Sequence, residues 1–268
     1  MDCKIDDFEI LMSLYREENP LFFKDCIDSI ECDKKSPNVR LVIDGSLTEE
    51  LELILGELNK EKWIIQRLGR NLGLAGALNQ GIAISKKEYL IRLDTDDLWV
   101  KNRCIDYIEV LNEYNGNVDV IGGHAALMDH KNDVYGLKRV SLKHNDIIQS
   151  MWKCPFIHPS VAIRREMLAA NPYSLTAGKR QDDYELWFRL RNINARFLNL
   201  DKILVKYRYT YENWSRNDMR VSLDRAKVLF KYEGIGVFTL AVALYLLLRS
   251  CLTYKWVFLL DKKVKNRL

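Results

Sequence analysis

The 268-residue sequence lacks paired cysteines, clustered histidines and any segment that resembles a signal peptide. Its six cysteines are scattered without a C-x-x-C pair, and its four histidines show no spacing typical of metal ligands. In a chain without a secretory signal, such cysteines are typical of reduced thiols in the cytoplasm. We therefore expect a cytoplasmic protein whose stability comes from its hydrophobic core.

The sequence also lacks a basic bias outside its C-terminus. The formal net charge is +4, but residues 249–268 alone carry +5, which leaves −1 for the rest of the chain. Nucleic-acid-binding domains gather Lys and Arg on one face, so this distribution does not indicate a nucleic-acid partner. The apolar share of 48% and the charged share of 29% are ordinary for a soluble protein, and the length fits an α/β domain with or without an appendage.

Short apolar segments alternate with amphipathic ones in the N-terminal part of the chain. The segments 8–14, 39–43, 63–66 and 89–93 are predicted strands, and a helix is predicted after each of the first three. Asn19 and Pro20 mark the start of the first helix as its N-cap and first-turn residue. The alternation predicts an α/β fold with a mostly parallel central sheet and right-handed crossovers.

Three acids, Asp94, Asp96 and Asp97, follow the fourth predicted strand within four residues. Carboxylates this close repel one another and raise each other's pKa unless a cation compensates. A hard divalent ion held by one or two Asp, with a substrate diphosphate completing its shell, is one arrangement that does so. A solvated acidic turn is the alternative, because short motifs also occur by chance.

Polar side chains stand at the carboxyl ends of three predicted strands, where ligands bind in a parallel sheet. They are Ser13 and Tyr15 after the first strand, Asp44 after the second, and Asp94 and Asp96 after the fourth. Taken singly, Asp44 could belong to a plain turn and Tyr15 could be a half-buried ring. Taken together, they predict a nucleotide-binding cleft.

The order of these motifs resembles that of family 2 glycosyltransferases of the GT-A fold, particularly bacterial enzymes that build O-antigen and capsule repeat units. The resemblance covers roughly residues 7–217. Its motifs are Ser13-x-Tyr15, Val42-Ile43-Asp44-Gly45-Ser46, Asn71-x-Gly73 and Arg92-Leu93-Asp94-Thr95-Asp96-Asp97. It implies that Ser13, Tyr15, Asp44, Asn71 and Asp94 bind a nucleotide sugar. It also implies that Asp96 holds Mg²⁺ or Mn²⁺ at the diphosphate, while Asp97 is left without a role.

A second acidic pair, Asp182 and Asp183, precedes an amphipathic segment. Two acids at the start of a helix are favoured by its dipole, which is a purely structural reason for their presence. The resemblance to the family's Glu-Asp-Tyr-x-Leu-Trp-x-Arg-Leu pattern implies that Asp183 is the general base, with Asp182 in place of a Glu. It also implies that His158, which precedes a predicted strand, lies on the acceptor side; by itself a lone His is more often structural.

The C-terminal part contains an uncharged apolar segment, residues 236–248, that ends at Arg249. A membrane-spanning helix needs ~20 apolar residues, so this segment is too short. A buried helix is one alternative, but aromatic residues and a basic cluster (Lys262, Lys263, Lys265, Arg267) follow it. Such clusters favour an anionic membrane surface. We expect a domain at 1–217 and a helical membrane-associating tail at 218–268.

The resemblance implies an inverting transfer of a UDP-linked sugar to a hydroxyl of a polyprenyl-diphosphate-linked saccharide. The protein would act as a peripheral enzyme on the cytoplasmic face of the bacterial inner membrane. Two other functions compete with this one. A Mg²⁺-dependent phosphohydrolase also uses Asp-x-Asp after a strand, although normally after the first strand. A non-catalytic nucleotide-sugar-binding module would need Asp44 and Asp96 but not Asp183.

Overall fold

The structure, a computed structural model, describes residues 3–210 and 218–251 and confirms the α/β class. The strands are β1 (Phe8–Leu14), β2 (Val39–Ile43), β3 (Trp63–Arg67), β4 (Tyr89–Arg92), β5 (Leu98–Trp99), β6 (Val120–Met128), β7 (Val134–Lys138), β8 (Ala162–Arg164) and β9 (Phe197–Arg208). The α-helices are α1 (Pro20–Glu31), α2 (Glu49–Gly56), α3 (Gly73–Ile84), α4 (Arg103–Glu113), α5 (His144–Gln149), α6 (Arg165–Ala170), α7 (Asp182–Asn192), α8 (Met219–Glu233) and α9 (Val237–Cys251).

The N-terminal half of the sheet has the order β3-β2-β1-β4 and is parallel throughout. Strand β1 lies in the middle and is covered on both faces, because Ile10 and Met12 belong to one core cluster and Leu11 to the other. A strand buried on both faces needs a continuous apolar run in place of an alternating one. This explains why residues 8–14 form such a run. Because the strands of this half are parallel, the carboxyl ends of β1, β2 and β4 lie at one edge of the sheet.

The helices of this half begin where the sequence predicts. Asn19 Oδ1 accepts hydrogen bonds from the backbone N–H of Leu21, at 2.9 Å, and of Phe22. Thr48 Oγ1 accepts from the backbone N–H of Leu51 at the start of α2. These contacts satisfy N–H groups that the first turn of a helix leaves without partners. The predicted N-cap at Asn19 is therefore confirmed.

The C-terminal half of the sheet is mixed. Strand β8 pairs antiparallel with β4 and β6, and β6 pairs parallel with β9 along its whole length. Strand β7 pairs antiparallel with β6, and strand β5 pairs antiparallel with β9. The sheet thus continues past β4 and brings the long strand β9 beside the turn that follows β4.

Two details of this half differ from the sequence pattern. Residues 118–121 and 125–128 look in the sequence like two short strands separated by Gly122 and Gly123, but β6 is continuous across both glycines. The glycines are needed because β9 approaches closely: a Cβ on Gly122 would lie 2.3 Å from Asn199 Oδ1. The sequence of 156–165 predicts a strand entered through a kink, and the structure has a 3-10 helix at His158–Ser160 followed by β8, which is shorter than predicted.

The C-terminal helices pack onto the same core. Val228 and Leu229 of α8 and Val242 of α9 join the cluster that contains Trp187 of α7. The predicted domain boundary at residue 217 stays a prediction, and the basic cluster at 262–267 lies outside the described residues. Within residues 3–210 and 218–251, no helix is both long and apolar enough to cross a bilayer.

Replacing Gly122 with Ala should destabilise the protein, because the added methyl group would overlap Asn199 and would also lie 3.0 Å from Phe156 Cδ1. Overpacking a filled core costs about 1–3 kcal/mol of unfolding free energy. Urea denaturation followed by circular dichroism measures this. The control is Gly136→Ala on β7, where the Cβ would make only an ordinary contact at 3.6 Å with Leu127. Equal midpoints for the two variants would contradict this account of β6.

Candidate active site

A cleft of about 930 Å³ opens at the carboxyl ends of β1, β2 and β4. All of the site residues predicted from the sequence line this cleft: Ser13, Tyr15, Asp44, Asn71, Asp94, Asp96, His158, Asp182 and Asp183. They come from six separate parts of the chain. The five strand-end residues among them follow the geometric rule that the carboxyl ends of parallel strands converge, while the individual roles of all nine stay predictions.

Asp44 is almost fully buried at the end of β2. Its Oδ1 accepts a hydrogen bond of 2.6 Å from the backbone N–H of Leu72, just before α3. Asn71 Nδ2 donates to the Asp44 carbonyl at 3.3 Å, and Asn71 Oδ1 accepts from the N–H of Gly73. The two side chains thus connect the end of β2 to the start of α3. They form one rigid wall of the cleft.

Tyr15 extends from the end of β1 with 43% of its surface exposed. Partial burial, followed by the neighbouring Glu18 carboxylate, raises the pKa of its phenol, so the ring stays neutral at physiological pH. An accessible, neutral aromatic ring at this edge offers a face for a nucleoside base. Ser13 lies on the same strand and lines the same part of the cleft.

The acidic turn after β4 is compact. One oxygen from each of Asp94, Asp96 and Asp97 lies within 4.8 Å of the others. Asp94 also forms an ion pair with the buried guanidinium of Arg92. Asp94 and Asp96 line the cleft, whereas Asp97 is fully buried. Oxygen ligands at this spacing fit a hard cation such as Mg²⁺ or Mn²⁺, and of the two acids that face the cleft the resemblance assigns Asp96 to the cation.

Asp97 has a structural role that the sequence analysis missed. Its Oδ1 accepts a hydrogen bond of 2.7 Å from the backbone N–H of Arg208 at the end of β9. The Arg208 side chain in turn donates from Nε to the carbonyl of Asp96 at 2.8 Å. Asp97 and Arg208 therefore fasten the acidic turn to a strand more than a hundred residues away.

Glu18 is a second cleft residue that the sequence analysis left without a role. Thr95, in the middle of the acidic turn, donates its hydroxyl proton to Glu18 Oε2. Burial is the main reason why the pKa of Glu18 is raised, and the hydrogen bond from Thr95 opposes that rise. Its position after β1 was visible in the sequence, but its contact with Thr95 depends on the fold.

Asp182 and Asp183 begin α7, as predicted. Asp183 Oδ2 lies 3.7 Å from the Cys154 thiol, and its Oδ1 accepts from the backbone N–H of Tyr184. Burial, and then the charge of Asp183, raises the pKa of Asp182 to about 6. One carboxylate of the pair thus changes its charge close to neutral pH, which is a property of acid–base sites.

His158 lies at the start of the 3-10 helix before β8. Its Nε2 and the Tyr173 hydroxyl are 2.8 Å apart, and its ring packs edge-on against Trp187. Burial and the nearby Arg92 charge lower the pKa of His158 to about 4, so the imidazole is neutral at pH 7. These contacts hold the ring in place at the cleft wall.

The family of the chain follows from sequence comparison. Residues 9–170, which extend from β1 to the end of α6, match the sequence model described as Glycosyl transferase family 2. The match contains Asp44, the acidic turn and His158, and it ends before α7. The chain therefore belongs to glycosyl transferase family 2.

Known proteins from several organisms are similar to this chain. The amylovoran biosynthesis glycosyltransferase AmsE of Erwinia amylovora is 30% identical, over 91% of this chain and 92% of the relative. The Escherichia coli UDP-Gal:alpha-D-GlcNAc-diphosphoundecaprenol beta-1,3-galactosyltransferase is 26% identical, over 78% and 76%. The structure of the mannosyltransferase PcManGT of Pyrobaculum calidifontis in complex with GDP-Man and Mn²⁺ superposes with a TM-score of 0.62 at 12% identity. The superposition covers 96% of this chain and 79% of PcManGT. These similarities confirm the GT-A-like fold.

Replacing Asp96 with Asn should abolish sugar transfer, because it removes one of the two carboxylates that the cleft presents to a cation. EDTA should do the same to the unaltered protein, and added Mn²⁺ should restore its activity. The measurement is release of nucleoside diphosphate. Asp106→Asn on α4, an acid outside the cleft that pairs with Lys202, is the control. Full activity in EDTA would contradict the assignment.

Proposed function

We propose that this glycosyltransferase transfers a sugar from a UDP-sugar to a hydroxyl of a saccharide linked through diphosphate to a polyprenyl lipid. The observation that carries the proposal is that one cleft contains the strand-end residues, the acidic turn and the carboxylate pair of α7. Two relatives support it: one is named for amylovoran biosynthesis, and the other for transfer from UDP-Gal to a diphosphoundecaprenol-linked sugar. The product would be a repeat unit of a surface polysaccharide such as O-antigen or capsule.

The donor occupies the side of the cleft formed by the ends of β1, β2 and β4. The base lies against the Tyr15 ring, and Ser13, Asp44 and Asn71 position the nucleoside. Asp94, oriented by its ion pair with Arg92, binds the ribose. Asp96 faces the diphosphate. A Mg²⁺ or Mn²⁺ held there would offset the negative charge that the leaving diphosphate acquires.

The transfer is a single displacement at the anomeric carbon. Asp183 takes the proton of the acceptor hydroxyl as its oxygen forms the new bond to the anomeric carbon. The bond from that carbon to the diphosphate oxygen breaks on the opposite face, and UDP leaves with the electron pair. One displacement inverts the anomeric configuration. Asp183 stands at the head of α7, a short rigid helix whose fixed backbone sets the direction of the carboxylate.

The two competing functions make different demands on these residues. A phosphohydrolase would use Asp94 as a nucleophile, but the ion pair with Arg92 occupies that carboxylate and makes it a weaker nucleophile. A non-catalytic binding module would not need a second carboxylate pair in the cleft. The position of Asp182 and Asp183 in the same cavity as the acidic turn therefore favours transfer.

Replacing Asp183 with Asn should reduce kcat by ~10²-fold or more, which is the usual scale for losing a general base. UDP affinity, measured by calorimetry with Mn²⁺ present, should be unchanged, because the substitution leaves the donor side of the cleft intact. The matched variant is Asp182→Asn, which should have a milder effect. If Asp182→Asn is the more damaging variant, the base is Asp182.

The pH profile distinguishes the two acids further. Because the pKa of Asp182 is raised to about 6, it is protonated below that pH and charged above it. The negative charge of ionised Asp182 favours transfer of the acceptor proton into the α7 carboxylate pair, so kcat should rise with pH through about 6. Asp182→Asn should lack that rise. If kcat of this variant rises with pH as it does in the unaltered protein, Asp182 is not the source of the rise.

We further propose that α9 attaches the enzyme to the membrane as a peripheral protein on the cytoplasmic face of the inner membrane. Val242 and Ala243 of α9 are buried, but its opposite face is apolar and exposed. That face consists of Val237, Leu240, Leu244 and Leu248, with exposed fractions between 52% and 88%. An exposed apolar helix face followed by a basic sequence at 262–267 suits a lipid surface with anionic headgroups.

Replacing Leu240, Leu244 and Leu248 together with Ser should reduce binding to phosphatidylglycerol-containing vesicles by at least about tenfold, because each buried leucine contributes up to ~1.5–3 kcal/mol. Vesicle sedimentation measures it. The control replaces three other exposed leucines, Leu21, Leu53 and Leu175, with Ser. Full-length protein that stays in the supernatant at physiological salt would contradict the proposal.

A further inference from the structure

The cleft is lined by basic side chains to which the mechanism above gives no role. The cations in its lining are Lys138, Lys153, Arg180, Arg225 and Arg249. Two of them come from α8 and α9, beyond the segment that matches the family model. A cleft that binds only one diphosphate, at the acidic turn, has no need of cations in these C-terminal helices.

Arg225 of α8 is held at the cleft wall by contacts with neutral groups. Its guanidinium lies 4.5 Å from the centre of the Tyr184 ring, and Nη2 donates to the Trp152 carbonyl at 3.3 Å. Its Nε is buried and has no hydrogen-bond partner among residues 3–210 and 218–251. The contacts fix the position of the guanidinium without neutralising its charge.

Lys153 contacts the side chain of the same residue, Trp152. Its Nζ lies 4.9 Å from the centre of the Trp152 ring, and the side chain is exposed in the cleft. Trp152 therefore has a Lys over its ring and an Arg on its carbonyl. Two cations around one residue form a site for a ligand with more than one negative charge, and the guanidinium and ammonium groups can both donate to phosphate oxygens.

Each cation belongs to, or packs against, a residue next to the proposed base or its thiol neighbour. Lys153 is followed by Cys154, whose thiol is 3.7 Å from Asp183 Oδ2, and the ring beneath Arg225 belongs to Tyr184, the residue after Asp183. Burial and then the Asp183 charge raise the pKa of the Cys154 thiol to about 12, and the Arg225 charge opposes the rise. Cys154 thus lies within the fields of both the base and the guanidinium.

An apolar surface continues outward from the two cations. The Trp152 ring packs edge-on against Phe238 of α9, with ring centres 5.8 Å apart. Phe238 is 55% exposed and follows Val237, the first residue of the apolar face of α9. From Asp183 outward, the protein therefore presents a carboxylate, two cations, an aromatic ring and an apolar helix.

We propose that Lys153 and Arg225 bind the diphosphate of the lipid-linked acceptor, and that Trp152 and Phe238 guide its hydrocarbon chain towards α9. The order of groups on the protein matches the order of groups in such an acceptor: a sugar hydroxyl at Asp183, a diphosphate at the cations and a polyprenyl chain on the apolar surface. The donor diphosphate binds separately, at the acidic turn. This inference rests on the proposed function and adds to it a second phosphate subsite.

The test is binding of undecyl diphosphate, which has the diphosphate and an alkyl chain but no sugar. Calorimetry below its critical micelle concentration, with saturating UDP and Mn²⁺ to fill the donor side, gives the dissociation constant. Lys153→Gln and Arg225→Gln should each raise this constant by about tenfold, and the double variant by about a hundredfold, as expected for charge-assisted hydrogen bonds. Undecyl glucoside, which lacks the diphosphate, should bind all variants equally.

Arg220→Gln is the matched control, because Arg220 lies on the same helix, is exposed and does not line the cleft. It should bind undecyl diphosphate like the unaltered protein. The inference is overturned if saturating UDP abolishes binding of the probe or if the double variant binds it normally. Normal probe binding to the unaltered protein without transfer to any lipid-linked saccharide would instead overturn only the proposed function.

Discussion

The buried guanidinium of Arg208 is the interaction on which the candidate active site depends. Only 2% of Arg208 is exposed, yet its side chain donates to the carbonyls of Asp96 and Asp129 and to Asn132 Oδ1, at 2.6–2.8 Å, and lies 3.9 Å above the Phe22 ring. One side chain thus joins β9, the acidic turn, the β6–β7 hairpin and α1. Leaving one buried group of such a network without its hydrogen-bond partner costs about 1–3 kcal/mol, and more where the group is charged. The acidic turn can keep its carboxylates close together because its backbone is held by hydrogen bonds to Arg208.

The cleft contains charged side chains of both signs. Carboxylates stand at the ends of β1, β2 and β4, and Lys153 and Arg225 line the part that the segment around Trp152 and α8 contribute. Under the proposed function each of the two diphosphates needs its own compensating charge, and these two cations would supply it for the acceptor. The carboxylate pair of α7 would deprotonate the acceptor hydroxyl.

Local signals in the sequence were sufficient for the parallel half of the sheet. The run 8–14, the Asn19 cap and the acids after β4 are each recognisable from neighbouring residues, and the convergence of strand ends predicted that Ser13, Tyr15, Asp44, Asp94 and Asp96 share one cleft. Long-range contacts could not be predicted in this way. In the sequence Gly122 resembles a strand break, but in the structure it allows β9 to approach closely. Asp97 differs from Asp94 and Asp96 in its hydrogen bond with the backbone of Arg208, a residue far away in the sequence. The contribution of Arg225 to the cleft likewise depends on how α8 packs.

The central claim is that this cleft binds a nucleotide sugar at the strand ends and presents it to Asp183. A crystal structure with UDP-sugar phosphonate and Mn²⁺ tests it most directly, with the metal located by its anomalous scattering. The account predicts the base against Tyr15 and Asp44, the metal between Asp96 and the phosphorus groups, and the anomeric carbon facing the Asp183 carboxylate. A nucleotide bound outside this cleft, or an anomeric carbon turned away from both Asp182 and Asp183, would contradict it.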